Sequence, residues 1–185
     1  MNYEINSKGQ VKLNADLNSA SGESYPEMNR FGIQIPMQDD MDISEFYGRG
    51  PIENYPDRKT GVYLGNYTMT AKEQSYPYLR PQETGTKSDM RRWNQTDRGG
   101  RGLMISSDAP FFASATNYSV ESLDNGDEKT QMHFKDVEPV EYVNLLIDSQ
   151  QAGVAGINSW GAKPLEPYRL LSPEKKLSIV LTPVI

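Results

Sequence analysis

Apolar residues at every second position constrain this chain more than any other feature. In VKLNADL, Val11, Leu13, Ala15 and Leu17 share one side, as do Phe31, Ile33 and Ile35 in FGIQI. In LSIVL the same holds for Leu177, Ile179 and Leu181, and Pro183 is expected to interrupt the pattern. A period of two sets one face of a strand on a core. Further strands are expected over 42–47, 61–69, 89–96, 101–107, 111–116 and 140–148. The turn-rich stretches NSKG, SGES, DRGGRG, DNGD and SPEKK separate them. One short helix is expected over 118–124, with Asn117 or Ser119 as its cap and Asn125-Gly126 as its stop. The implied fold is an all-β antiparallel sandwich, one domain over 1–185. The opening YEINSKGQVKLNADLN reads as a hairpin from the interior of a sheet. Strands are then expected to be missing before it, and a second copy or a neighbouring domain would cover the exposed edges.

Composition narrows the chemistry. A chain of 185 residues can bury roughly 70% of the surface its unfolded form exposes, so a core needs no staples. There is no cysteine, which removes disulfides, thiolate metal sites and cysteine nucleophiles. That absence fits cytoplasm and periplasm alike. The formal net charge of −6 argues against nucleic acid as the main partner, and Asp89 and Asp97 interrupt the one basic cluster, Arg91, Arg92, Arg98 and Arg101. No window approaches the ~20 apolar residues of a membrane span, and MNYEINSKGQ lacks the apolar core of a signal peptide. His133 is the single histidine, so no zinc set forms around it. GxSxG is absent, and GVAGINSWG lacks the Lys-Ser/Thr of a phosphate loop. Neither a metal nor a cofactor is expected in this chain.

Three stretches remain unusual. In FYGRGPIENYPDRKTG, 46–61, Gly48 and Gly50 flank Arg49 and Pro51 follows, which gives the segment a set path. Glu53, Asn54, Asp57 and Arg58 supply donors and acceptors, and Tyr55 a flat face. Either this is a polyol-binding or interface loop, or an internally hydrogen-bonded crossover with Arg58 tied to a carboxylate. In YPYLRPQETGTKSDMRRW, 76–93, Tyr78, Arg80, Gln82 and Glu83 converge on a bend at Pro81. Glu83 and Asp89 form a conceivable glycosidase pair, but such a pair must stand ~5–5.5 Å apart, and the spacing singles out no pair. In QQAGVAGINSWGAKP, 150–164, three glycines bracket Trp160. Its indole is either a core plug or a platform on which the C–H face of a sugar packs.

Taken in order, FYGRGPIENYPDRKTG, YPYLRPQETG…RRW, NLLIDSQQAGVAGINSWG and the closing YRLLSPEKKLSIVL resemble the C-terminal, small-chain region of bacterial β-galactosidases of glycoside hydrolase family two. The resemblance runs from about Glu27 to the end. It implies an antiparallel β supersandwich of galactose mutarotase-like fold, here truncated on its N-terminal side. It also implies that the catalytic carboxylates, with any Mg or Na, sit in a barrel domain outside this chain, which alone should be inactive. Trp160, with Asn158 and Ser159, would then shape the aglycone side of a galactoside site. The family pattern has acidic residues before the serine and tryptophan, where this chain has Ile157 and Asn158. The 46–61 stretch becomes a structural clamp and interface segment, with Arg49 and Arg58 paired to carboxylates or carbonyls, beside Arg80, Gln82 and Glu83. The partners implied are the other domains of the parent enzyme, the galactoside and a further copy in a homo-oligomer. The alternatives are a free-standing galactoside-binding module and a mutarotase-like aldose epimerase.

Overall fold

A computed structural model describes residues 1–18, 27–126, 133–156, 158, 160–171 and 174–185. The expected SGES turn and Ser159 lie outside the described residues. The strands are β1 (Asn2–Ile5), β2 (Val11–Leu17), β3 (Arg30–Met37), β4 (Ile43–Gly50), β5 (Tyr63–Thr70), β6 (Lys87–Thr96), β7 (Gly102–Thr116), β8 (Val143–Gln151) and β9 (Lys175–Val184). Each pairing among them is antiparallel. The order is β1-β2-β9-β7-β6-β4-β5, and β8 joins β7 on one side and β3 on the other. The fold is all-β, as the alternating pattern requires.

Two expected strands, 101–107 and 111–116, are one element. The sheet forks along β7: residues 102–106 pair with β9 and 112–116 with β8. Residues 107–110 pass through the fork with no ladder partner in either pairing, so the missing N–H of Pro110 removes no bond. Pro183 likewise does not end β9. It lies opposite Leu103, beyond the last β2 pair at Val11 and Leu181, where the other side of β9 is open. The expected helix shrinks to one turn, α2 (Val120–Leu123), capped by Ser119, whose Oγ accepts from the Ser122 amide at 3.0 Å. A second turn, α1 (Ala71–Gln74), was not expected; it opens on the capping box of Thr70 and Glu73, whose side chains bond each other's amides.

The core gathers residues from most strands. Phe46 stacks on Trp93 with ring centres 4.9 Å apart and planes 9° apart, and Met90, Ile105, Leu145, Ile147 and Ile179 surround this layer, all buried. A polar chain crosses it. Trp93 Nε1 donates to Gln95 Oε1 at 3.0 Å, Ser44 Oγ donates to the same oxygen at 2.7 Å, Gln74 Nε2 donates to Ser44 Oγ at 2.8 Å, and Lys87 Nζ donates to Gln74 Oε1 at 3.1 Å. Every link is buried, which is how polar side chains persist in such a core.

The fork has a consequence for β8. Val143, Leu145 and Ile147 point into the core, so Asn144, Leu146 and Asp148 point to the opposite face. That face is buried as well. The pairing with β3 shifts register between Phe31 and Gly32, so that Phe31 lies opposite Gln150 and Gly32 opposite Asp148. Ser149 is the extra residue of a bulge, and the bulge returns Gln151 to the face of Asn144 and Leu146.

Candidate functional site

The 46–61 stretch divides in two. Residues 46–50 belong to β4, so Arg49 is a strand residue rather than part of a loop. Its Nε donates to Asp89 Oδ2 at 2.6 Å and its Nη1 to the Val62 carbonyl at 2.5 Å. Lys59 adds two bonds of 3.1 Å to the Asp89 carboxylate. Burial would raise the Asp89 pKa, but the two cations more than offset it and hold the carboxyl below its ordinary value.

The loop itself, after a cis peptide at Pro51, is built on Glu53 and Asn54. Asn54 is fully buried. Its Nδ2 donates to the Arg49 and Ile52 carbonyls, its Oδ1 accepts from the Ser88 amide at 2.9 Å and the Ser88 hydroxyl at 2.5 Å, and its amide donates to the Thr86 carbonyl at 2.8 Å. Glu53 accepts from Arg58 Nη2 at 2.6 Å, from the Gly85 amide at 2.8 Å, from Thr84 Oγ1 at 3.1 Å and from the Tyr78 hydroxyl. The Arg58 guanidinium also lies over the Tyr55 ring, 5.2 Å from its centre. Arg49 and Arg58 are thus both paired, as a clamp demands. The clamp joins the loop to the 76–88 segment.

Asp57 extends it to the tryptophan loop. Its carboxylate accepts from the Val154 amide at 3.2 Å and the Ala155 amide at 2.8 Å. A Cβ at Gly153 would run into that carboxylate, so a larger residue there would have to push the Asp57 side chain aside. The Gly153 amide donates to the Tyr168 carbonyl at 2.7 Å. On the return path, Glu27 takes two bonds from Arg169, at 2.6 and 2.9 Å, and one from Lys163 at 2.5 Å. Those cations pull the Glu27 carboxyl down to about 2. Between these anchors Asn158 Oδ1 accepts from the Trp160 amide at 2.8 Å, and Gly161 takes a φ of +85° that favours glycine. The Trp160 indole is 92% exposed, whereas Trp93 is wholly buried. The core-plug reading of Trp160 fails.

The second segment holds a different network. Arg30 Nε donates to Asp148 Oδ2 at 3.1 Å, and Arg30 Nη1 lies 3.3 Å from Glu83 Oε2. Glu83 and Asp89 therefore sit in separate ion-pair networks, one on Arg30 and one on Arg49 and Lys59, and not as a facing pair. Asp148 is buried. Burial pushes its carboxyl up to about 6, and Arg30, shared with Glu83, offsets only part of that. Arg80 is exposed, and Gln82 forms part of the rim of a cavity of about 340 Å³. The cavity floor comes from Arg30, Ser114, Thr116, Asn144, Leu146 and Gln151. Arg30, Asn144, Asp148 and Gln151 escaped the sequence reading. The available signal was the i, i+4 spacing of Asn144 and Asp148 in an apolar strand, which puts both on one face. His133 is exposed, with its amide bonded to Asp136 at 2.9 Å. Among the described residues no group of His, Cys, Asp and Glu could hold a metal.

Residues 1–181 match the family model for the β-galactosidase small chain. The chain belongs to that family. The match starts at residue 1, so the likeness takes in the first hairpin and does not begin near Glu27. Over 168 residues, 91% of the chain, it is 37% identical to a β-galactosidase of Priestia megaterium. It is 32% identical over 185 residues to that of Lactobacillus delbrueckii subsp. bulgaricus, and 27% over 184 residues to that of Streptococcus thermophilus. The chain spans 16% of the first of these curated relatives and 17% of the other two. These relatives are therefore much longer than this 185-residue chain.

Proposed function

We propose that this chain is the C-terminal accessory domain of an enzyme that hydrolyses terminal β-D-galactosides, and that it presents Trp160 to the aglycone side of a catalytic barrel outside these residues. The galactose mutarotase-like class of supersandwich is part of the same reading. One observation carries it: a small-chain family member holds a bare indole on a loop anchored at both ends, by Asp57 and by Glu27. Nothing within the described residues covers that ring. An indole suits the C–H face of a sugar. Within the 46–61 and 76–93 stretches, Glu53, Asp57, Glu83 and Asp89 are all held in ion pairs and hydrogen bonds, which suits support rather than the acid and nucleophile of glycoside cleavage.

The test uses the full-length enzyme. Trp160→Ala should raise the KM for lactose and alter transfer to acceptors, by a loss of ~1–3 kcal/mol typical of a large aromatic contact. Unchanged kinetics on lactose would remove the role. The 185-residue chain alone should not turn over a chromogenic galactoside.

A further inference from the structure

The cavity beside β8 shares Gly153 and Val154 with the start of the tryptophan loop, but the Trp160 indole does not line it, so it does not depend on the role given to that ring. Its volume, about 340 Å³, falls within the ~300–1,000 Å³ of small-molecule sites. Its floor is polar where the opposite face of the same strands is apolar. Ser114 and Thr116 alternate with core residues Ala113 and Ala115 on β7, as Asn144 alternates with Val143 and Leu145 on β8.

Three of its side chains hold buried polar atoms with no hydrogen-bond partner among the described residues: Asn144 Oδ1, Gln151 Oε1 and Arg30 Nη2. Arg30 Nη2 is 3.0 Å from Asp148 Oδ2, yet off the line of a hydrogen bond. Asn144 and Gln151 are more than nine-tenths buried. A buried polar atom without a partner costs about 1–3 kcal/mol, and three around one cavity ask for a shared partner. Gln151 reaches this face only through the bulge at Ser149. The cluster is thus assembled by a local departure from regular pairing, of the kind that re-aims side chains at sites.

Charge restricts the ligand. Arg30 and Arg58 line the cavity together with Glu83 and Asp124, and Asp148 lies behind Arg30. The cations are balanced, which disfavours phosphate or another strong anion. The set includes two amide oxygens that accept and, on Arg30, an ion-paired guanidinium nitrogen with an N–H left to donate. Hydroxyl groups both donate and accept, so a polyol satisfies both kinds. Tyr78, Tyr118 and Leu146 supply faces for its C–H groups.

We propose that the cavity where Arg30, Asn144 and Gln151 converge with Tyr78 and Tyr118 is a binding site for a neutral, ring-sized polyol such as a hexopyranose. It would be a second carbohydrate site in this chain, distinct from the Trp160 indole.

The test is a chemical-shift titration of the 185-residue chain with D-galactose, D-glucose and inorganic phosphate. One or both sugars should give saturable shifts at Asn144 and Gln151 with a millimolar midpoint, and phosphate should not. Gln151→Met should weaken sugar binding at least tenfold, about 1.4 kcal/mol, while the melting temperature holds or rises. Trp160→Ala should leave the midpoint where it is, which separates this result from failure of the accessory-domain reading. Leu146→Phe, which narrows the floor, is the second variant should Gln151→Met not fold. Silence to both sugars, shifts confined to residues 158–163 around Trp160, or wild-type binding in a folded variant would overturn the proposal. Saturable binding of phosphate in place of sugar would overturn it too.

Discussion

The clamp around Asn54 and the cavity beside Gln151 are both polar, both buried, and joined through Arg58, which touches each. They differ in how their polar groups are satisfied. Both ends of the Asn54 amide side chain are bonded, and Glu53 has four donors. In the cavity, Asn144 and Gln151 each keep a buried oxygen with no hydrogen-bond donor among the described residues, and Arg30 Nη2 keeps only an ion pair with Asp148. A saturated network stabilises a loop path, because each bond lost exposes a buried group to a full desolvation cost. An unsaturated one costs stability and is explained by something that arrives later. The difference separates scaffold from site without appeal to residue type, since an amide side chain stands at the centre of each.

That comparison is open to direct attack. The largest effect should come from Asn54→Ala, which strands the Ser88 hydroxyl and amide and two carbonyls. A loss of at least about 3 kcal/mol is expected in urea denaturation, since each stranded group is worth about 1–3. A loss near zero would remove the clamp from the list of structural elements.

Next come two pH slopes of opposite sign. Lys87, buried behind the clamp, is held at about 7 against an ordinary 10.5, chiefly by desolvation. Between those values the unfolded chain binds more protons, so stability should rise with pH from about 7 towards 10. Asp148, beside the cavity, is held at about 6 against 3.8. There the folded chain binds more protons, so stability should fall as pH rises from 3.8 towards 6. Lys87→Met should flatten the first slope and Asp148→Asn the second, read from denaturation midpoints across pH. If Asp148→Asn leaves the acid slope in place, that carboxyl is not the buried group inferred here.

The smallest effect sharpens the contrast most. Gln151→Met should change stability by no more than about 0.5 kcal/mol, or raise it, because it removes an acceptor that has no donor. A loss as large as that of Asn54→Ala would make the two regions alike and leave the cavity as scaffold.

Much of this was legible in order along the chain. The strand faces of Val11–Leu17 and Leu177–Leu181 followed from alternation, and Arg58 found its carboxylate where a Pro/Gly-stiffened loop requires one. The helical turn behind Thr70 and Glu73 was missed, although their spacing is that of a capping box. The length of β7 was hidden, because Asp108 and Pro110 resemble a turn until the fork removes their need for ladder partners.

Period and composition alone determine that the molecule is antiparallel and all-β, since side-chain alternation is a property of each strand by itself. The ordered motifs bring in the family. Only tertiary structure decides which polar faces are covered. Asn144 and Asp148 look like the solvent side of a half-buried strand, and became a buried floor because the 76–86 segment and the 118–124 turn close over them. Gln151 joined them through a one-residue bulge in β8. Burial of that kind depends on what packs against a strand, which no local pattern records.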